Sequence, residues 1–200
     1  MPLPNGQVRF RIWGSPEKSI KLQIHGRDFE GAPDAHGWRE WVVDGVHPGA
    51  TYGYIIDDEL EVPDPASRGQ AGSVHGPSMV VDPARYRWRH TQWQTRPWHE
   101  TVYYELHIGT FTPEGTFAAA AEKLALLADL GITTIQIMPV GQFGGERGWG
   151  YDGVLIYAPH RAYGTPDDMK ALIDTAHGLG LNVVLDVIYN HFGPAGNHLP

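Results

Sequence analysis

The sequence contains no cysteine, which removes disulfide frameworks, thiolate zinc sites and cysteine nucleophiles from consideration together. Basic clusters are missing too. Fifteen Lys and Arg are scattered among 23 Asp and Glu for a formal charge of −8, a balance that argues against a nucleic-acid or anionic-membrane surface. No apolar run is long enough to span a bilayer, so no membrane partner is expected. The opening "MPLPNGQVRFRIWG" lacks both the basic lead and the apolar stretch of a secretory signal, which sets a cytoplasmic expectation. The eleven histidines show no close ligand spacing, so a zinc site is not expected. What is present is core-forming material: 42% hydrophobic and 11% aromatic content in 200 residues, ample for a packed interior.

That material follows two grammars. From Val8 to about Pro83, short runs rich in β-branched and aromatic residues, "VRFRIWG", "IKLQIHG", "WREWVVDG", "YGYIIDD" and "MVVD", end near Gly, Pro or Asp, the spacing of a small β-sandwich. Val62 to Ser78 is a Gly-, Pro- and Ser-rich loop, and "RYRWRHTQWQTRPWHE" reads as a connector with aromatic anchors, placing the boundary near residue 96. Six of the seven tryptophans precede Thr101; filling the sandwich core is the expected use of most. After Thr101 the pattern alternates strand and helix. "TVYYELHI", "ITTIQIMPV" and "LNVVLDVIY" are predicted strands. The first helix carries a face of Phe117, Ala121, Leu124, Leu127 and Ala128 and stops at Gly131. The second starts with Thr165 as N-cap, Pro166 at the first helical position and Asp167 and Asp168 in the first turn. Its predicted buried stripe is Met169, Leu172, Ile173, Ala176 and Leu179. Strands joined in this way imply a parallel sheet, doubly wound or part of an eight-stranded barrel.

In either parallel architecture the chemistry gathers at the carboxyl ends of the strands. That rule selects Glu105 and His107, the stretch from Gly141 to Gly164 read as a long loop, and "DVIYNHFGP". Within the loop, the Gly-rich "GGERGWGYDG" has no Lys-Ser/Thr pair and no helix directly after its glycines, which weakens a phosphate cradle. As a flexible loop it presents Trp149, Tyr151 and Asp152. Two flat rings beside a carboxylate suit a carbohydrate subsite, or the rings anchor the loop. Asp186 interrupts an otherwise apolar strand, so burial there demands a partner. It forms either a core ion pair or the base of a polar network in which Asn190 and His191 face a ligand. Asp186 and Asn190 are calcium-type oxygen ligands, but two groups are too few for a site.

Taken together, "GITTIQIMPV" and "DVIYNH" resemble the second- and third-strand motifs of the α-amylase superfamily of glycoside hydrolases. Along nearly the whole chain, "YYELHIGTFTPEGTF", "GWGYDGVLIYAPHRAYGTPDDMK" and "PDPASRGQAGSVHGPSMVVDP" look like the branch that releases trehalose from maltooligosyl-trehalose. Gly150-Tyr151-Asp152-Gly153 sets it apart from branching enzymes, which usually have Gln after Gly-Tyr, and from isoamylase-type enzymes, which have Pro after Gly-Tyr-Asp. The resemblance implies an immunoglobulin-like β-sandwich over residues 1–96 and, over 97–200, the first three β/α units of a (β/α)8 TIM barrel. It implies an α-glucan substrate and hydrolysis with retention, with neither cofactor nor metal required. By the same resemblance, Tyr151 would lie under the glucose in subsite −1 and His191 would bond its 6-hydroxyl. Asp186 and Asn190 would hold loop geometry, while Trp149 and Asp152 would shape the wall. Arg147-Gly148 stands where the family commonly has Arg-Asn, which would loosen the loop. A barrel of this type takes about 250 residues. The nucleophilic Asp and acid/base Glu, which follow the fourth and fifth strands, are therefore expected beyond Pro200, in a longer protein of which this is the front part.

Overall fold

The computed structural model describes residues 1–198; Leu199 and Pro200, the last two positions of the "GNHLP" tail, lie outside the described residues. Alternation of apolar and polar residues builds the first half. Strands β1 (Val8–Trp13) and β4 (Trp38–Val43) pair antiparallel. β2 (Ile20–Ile24), β3 (Arg27–Phe29), β5 (Thr51–Ile56), β6 (Leu60–Val62) and β7 (Ser78–Met79) make a second antiparallel sheet around β5. Because successive strand residues point to opposite faces, Val8, Phe10 and Ile12 of β1 meet Ile20, Leu22 and Ile24 of β2 in one core, joined by Trp41, Tyr52 and Tyr54. Trp41 is the tryptophan this core contains. Trp13, Trp38, Trp88 and Trp98 are exposed, so the expectation that most tryptophans fill the sandwich is corrected.

The second half is a parallel sheet in the order β12–β9–β8, formed by β8 (Tyr103–Leu106), β9 (Thr134–Ile137) and β12 (Asn182–Leu185). A single turn, α1 (Ile108–Phe111), and helix α2 (Phe117–Asp129) connect β8 to β9, and α3 (Pro166–Gly178) leads into β12. Phe117, Leu124 and Leu127 of α2 and Leu172 and Ala176 of α3 pack on Ile135 and Ile137 of the central strand. The start of α3 follows its sequence signals. Thr165 Oγ1 accepts from the Asp168 amide at 3.2 Å, and the Asp168 carboxylate accepts from the Thr165 amide at 2.8 Å. This is a reciprocal capping box with Pro166 at its first turn. Changing Thr165→Ala leaves the Asp168 amide without its acceptor. A loss of about 1 kcal/mol is expected in denaturant unfolding, and an unchanged midpoint would show that Asp168 alone sustains the cap.

Three expectations change here. Gly141–Gly164 is not a plain loop: β10 (Gly141–Gln142) and β11 (Leu155–Pro159) pair antiparallel within it, and Arg161–Tyr163 form a 3-10 turn. β11 is an unbroken apolar run ending in Pro, without polar alternation, and its partner β10 is two residues long, so neither announces a hairpin. Leu179 caps α3 from outside and is exposed, while the acid Asp174 occupies the buried face. Finally β12 ends at Leu185, one residue before Asp186. Among the described residues β12 has no neighbour on its far side, and Val184, Leu185 and Val187 are exposed, as are Tyr103 and Tyr104 on β8.

The connector between the halves runs along α3. Trp93 stacks on His177 with centroids 4.0 Å apart. The Asp174 carboxylate accepts from the Tyr86 hydroxyl (3.1 Å), the Arg89 and His90 amides (3.0 Å each), Arg89 Nε (3.0 Å) and His90 Nδ1 (3.0 Å). Burial by itself would raise this carboxyl's pKa, but the bonds from the Arg89 backbone and side chain and from His90 outweigh it and hold the pKa well below the usual range.

Candidate functional site

The carboxyl ends of β8, β9 and β12 meet the segment Phe143–Gly153, and that segment is fastened by its backbone carbonyls. His160 Nδ1 accepts from the Ala162 amide at 3.0 Å, so its Nε2 carries the hydrogen and donates to the Gly145 carbonyl at 3.0 Å. Burial pushes the His160 imidazole below its ordinary pKa, which favours the neutral tautomer this geometry needs. His107, where β8 turns into α1, donates from Nε2 to the Gly148 carbonyl at 2.9 Å, its Nδ1 facing Thr110 Oγ1. The Tyr163 hydroxyl lies 3.2 Å from the same Nε2 and donates to the Gly148 carbonyl at 3.5 Å; burial pushes its pKa up to about 12, so it stays neutral. His191 meets the Tyr151 carbonyl at 2.9 Å through Nε2 and the Asn190 side-chain amide at 2.7 Å through Nδ1. The Gly193 amide donates to the Gly153 carbonyl at 3.1 Å.

Four carbonyls, of Gly145, Gly148, Tyr151 and Gly153, are therefore held by three histidines and one backbone amide. The loop read as flexible is anchored, and the cause is a set of partners remote in sequence. Gly148 belongs to the same arrangement, because a Cβ there would stand 2.8 Å from the Phe143 ring. The glycine lets the ring close over the loop rather than loosening it. With its backbone tied down, the loop turns its side chains outward. Trp149 is 77% and Tyr151 42% exposed, with Asp152 exposed beside them. Rigid, solvent-facing rings next to a carboxylate can stack on a sugar's C–H face and accept from its hydroxyls, with little conformational entropy left to lose.

The other sequence-selected residues fall around this loop. A small cleft between the end of β9 and the continuation of β12 is lined by Pro139, Gly150, Gly153, Asp186 and Tyr189. The Asp186 amide extends the ladder to the Ile137 carbonyl at 2.9 Å. Its carboxylate is half-buried, with no hydrogen-bond or ion-pair partner among the described residues. Among the described residues β12 has no outer neighbour, and neither an ion pair nor a side-chain network forms on this carboxylate there. Asn190 and His191 are exposed and bound to each other through His191 Nδ1, and His191 Nε2 is the nitrogen that reaches the loop. Glu105 accepts from Gln136 Nε2 at 2.9 Å across the β8–β9 pair. Sequence reasoning missed His160 and Tyr163. Nothing in a sequence marks a histidine whose partner is a backbone carbonyl. Among the described residues no group of three or more His, Cys, Asp or Glu is placed to hold a metal ion.

The chain can be set beside known proteins. It is 47% identical over 199 residues to a malto-oligosyltrehalose trehalohydrolase of Deinococcus radiodurans, covering 99% of this chain and 33% of that protein. It is 46% identical to the enzyme of the same name from Saccharolobus solfataricus, over 96% of this chain and 34% of that one. The crystal structure of a Salmonella typhimurium protein assigned as an alpha amylase superposes with a TM-score of 0.95 at 58% identity, over 97% of this chain and 33% of that one. A branching enzyme of Streptomyces coelicolor is more distant, at 30% identity over 92% of this chain and 27% of that protein. The chain spans about a third of the length of the curated relatives it matches. The family model for the alpha amylase catalytic domain matches residues 66–198, and the chain belongs to that family.

Proposed function

We propose that the protein carrying this chain hydrolyses the α-1,4-glucosidic bond next to the trehalose end of maltooligosyl-trehalose and releases trehalose. The observation that carries this reading is the anchored loop Trp149–Asp152 beside Asp186–His191, in a chain 47% identical to a relative named for that activity. In this reading residues 1–96 are an immunoglobulin-like β-sandwich and residues 97–200 the first three β/α units of a (β/α)8 barrel. The likeness of the fold to a Bacillus acidopullulyticus pullulanase, at TM-score 0.80 over 95% of this chain, supports this architecture. The nucleophile and the acid/base lie beyond residue 200. They are two carboxylates about 5 to 5.5 Å apart, one forming a glycosyl-enzyme and the other acting as acid and then as base.

This chain supplies the floor and wall of the subsite. Tyr151 stacks beneath the sugar, with Trp149 and Asp152 at its side. His191 faces the sugar from the β12 loop and, through the Tyr151 carbonyl, sets the height of the ring. The Asp186 amide holds the start of that loop on β9 and Asn190 holds His191.

The test is to supply the full-length protein with maltooligosyl-trehalose and measure trehalose. No release would sink the reading, and new α-1,6 links formed from amylose would favour a branching enzyme instead. Changing Tyr151→Ala should lower kcat/KM at least about tenfold through loss of ring stacking. His191→Ala should lower it with little change in the unfolding midpoint, because both of its bonds lie at the exposed rim. A strongly destabilised His191 variant would instead make this histidine a fold element.

A further inference from the structure

We infer that His160 is a positioning residue for the aromatic loop and acts only while its imidazole is neutral, so that the subsite built on Trp149 and Tyr151 loosens in mild acid. That the loop receives a sugar rests on the function proposed above. The proton-sensitive anchor stands without it.

His160 lies where β11 passes into the 3-10 turn, and it is 2% exposed. Its polar atoms are all committed. The His160 amide donates to the Val140 carbonyl just past β9, and its carbonyl accepts from the Tyr163 amide. Its Nδ1 accepts from Ala162 and its Nε2 donates to Gly145, at 3.0 Å each. The ring also reaches the loop a second way. It stacks on Phe143 with centroids 3.7 Å apart and planes at 27°, and Phe143 is the ring against which Gly148 packs, one residue before Trp149. One imidazole thus fixes the loop at Gly145 by a bond and at Gly148 by contact.

The other two histidine anchors can take a proton without losing a partner. His107 Nδ1 faces the Thr110 hydroxyl, which can turn from donor to acceptor, and His191 Nδ1 meets the Asn190 side-chain oxygen, which accepts already. His160 has no such freedom. Its Nδ1 faces a backbone N–H, which can only donate, so a protonated ring would set one N–H against another. Turning the ring over puts carbons where the nitrogens were and loses both bonds.

The surroundings offer little to stabilise the cation. Glu146 is the carboxylate whose field reaches the ring. Across the adjoining cleft, Gln70 and Ser73 of the sandwich loop and Thr165 at the start of α3 are uncharged, and the Asp168 carboxylate is spent on the helix cap. Arg161 follows in the chain and adds a cation of its own, while Tyr163, 5.2 Å away ring to ring, stays neutral. Burial outweighs the Gly145 and Phe143 carbonyls and Glu146, and holds the imidazole below its ordinary pKa. The anchor is therefore complete above about pH 6.5, the value of a free histidine, and fades as pH falls below that toward the folded value.

The experiment compares the full-length native protein with His160→Phe and His160→Gln between pH 8 and pH 5, by hydrogen exchange of the amides of residues 145–150 and by trehalose release. In the native protein those amides, scaled to the amides of β9, should exchange about tenfold faster at pH 5 than at pH 8. His160→Phe keeps the stack and loses both bonds. It should exchange fast at every pH and show kcat/KM about tenfold below native at pH 8. The amide of His160→Gln can accept and donate without titrating, so it should recover much of that loss, and its kcat/KM relative to native should rise several-fold from pH 8 to pH 5. Native exchange that is the same at both pH values would overturn the inference, whether or not the variants fold. So would native-like exchange in His160→Phe at pH 8, or a ratio of His160→Gln to native that does not change with pH. Proton-dependent exchange in a protein that releases no trehalose would overturn the proposed function and leave the anchor standing.

Discussion

Gly193→Ala in the full-length protein is expected to lower kcat/KM for trehalose release about a hundredfold while leaving the unfolding midpoint nearly unchanged. A Cβ at position 193 would stand 2.0 Å from the Asp152 carbonyl oxygen, a backbone atom with no rotamer to give way. The β12 loop and the aromatic loop must therefore separate, which also pulls His191 from the Tyr151 carbonyl and frees both groups that this reading places on the sugar. A displacement of about 1 Å in a substrate-positioning group commonly costs about a hundredfold in rate. Gly150→Ala should behave alike. Its Cβ would lie 2.3 Å from the Pro139 carbonyl oxygen, at a φ of +94°, so contact and conformation both oppose it. Gly145→Ala is the control: φ is +83° but nothing lies within 4 Å of its Cβ, so only the conformational cost of about 1 kcal/mol applies. If Gly193→Ala and Gly145→Ala have equal kcat/KM, the contact with Asp152 does not set the loop.

Whether a feature can be read from sequence depends on how far away its cause lies. The cap of α3 is legible because Thr165, Pro166 and Asp168 act on one another across three residues. The alternation Val8, Phe10, Ile12 is legible because a pleated strand imposes it locally. "DVIYNH" is legible as a motif, and the aromatic loop as a composition. What joins them is not. His107, His160 and Gly193 hold carbonyls in the loop, and a carbonyl leaves no trace in the residue code. What surrounds Asp186 is not legible, because strand parity gives a face and not what covers it, and among the described residues β12 has no outer neighbour. Most tryptophans were misplaced because composition says how much apolar surface a chain has without saying which face of a sheet carries it. Asp174 was overlooked because its partners, Tyr86, Arg89 and His90, lie 84 to 88 residues away.

That acid carries the second large expected effect. Asp174 is fully buried on α3, where two backbone amides, a guanidinium, a phenol and an imidazole converge on one carboxylate. Asp174→Ala would leave two amides and a phenol without an acceptor and detach the connector from the helix. A loss of about 3 kcal/mol is expected, the scale for breaking a buried charged network. Asp174→Asn should do nearly as badly, because its NH2 would face donors that already fill the site. The exchange of the Arg89 and His90 amides with solvent should quicken more than that of β9. The effect should also depend on pH. The carboxyl's folded pKa lies below its unfolded value of about 3.9, so its contribution is fully present above that pH and fades as pH falls through the folded value. The urea midpoints of the native protein and Asp174→Asn should therefore differ most at pH 7 and converge as pH falls below about 4. A gap that persists undiminished in strong acid would mean that shape rather than charge holds the connector on α3.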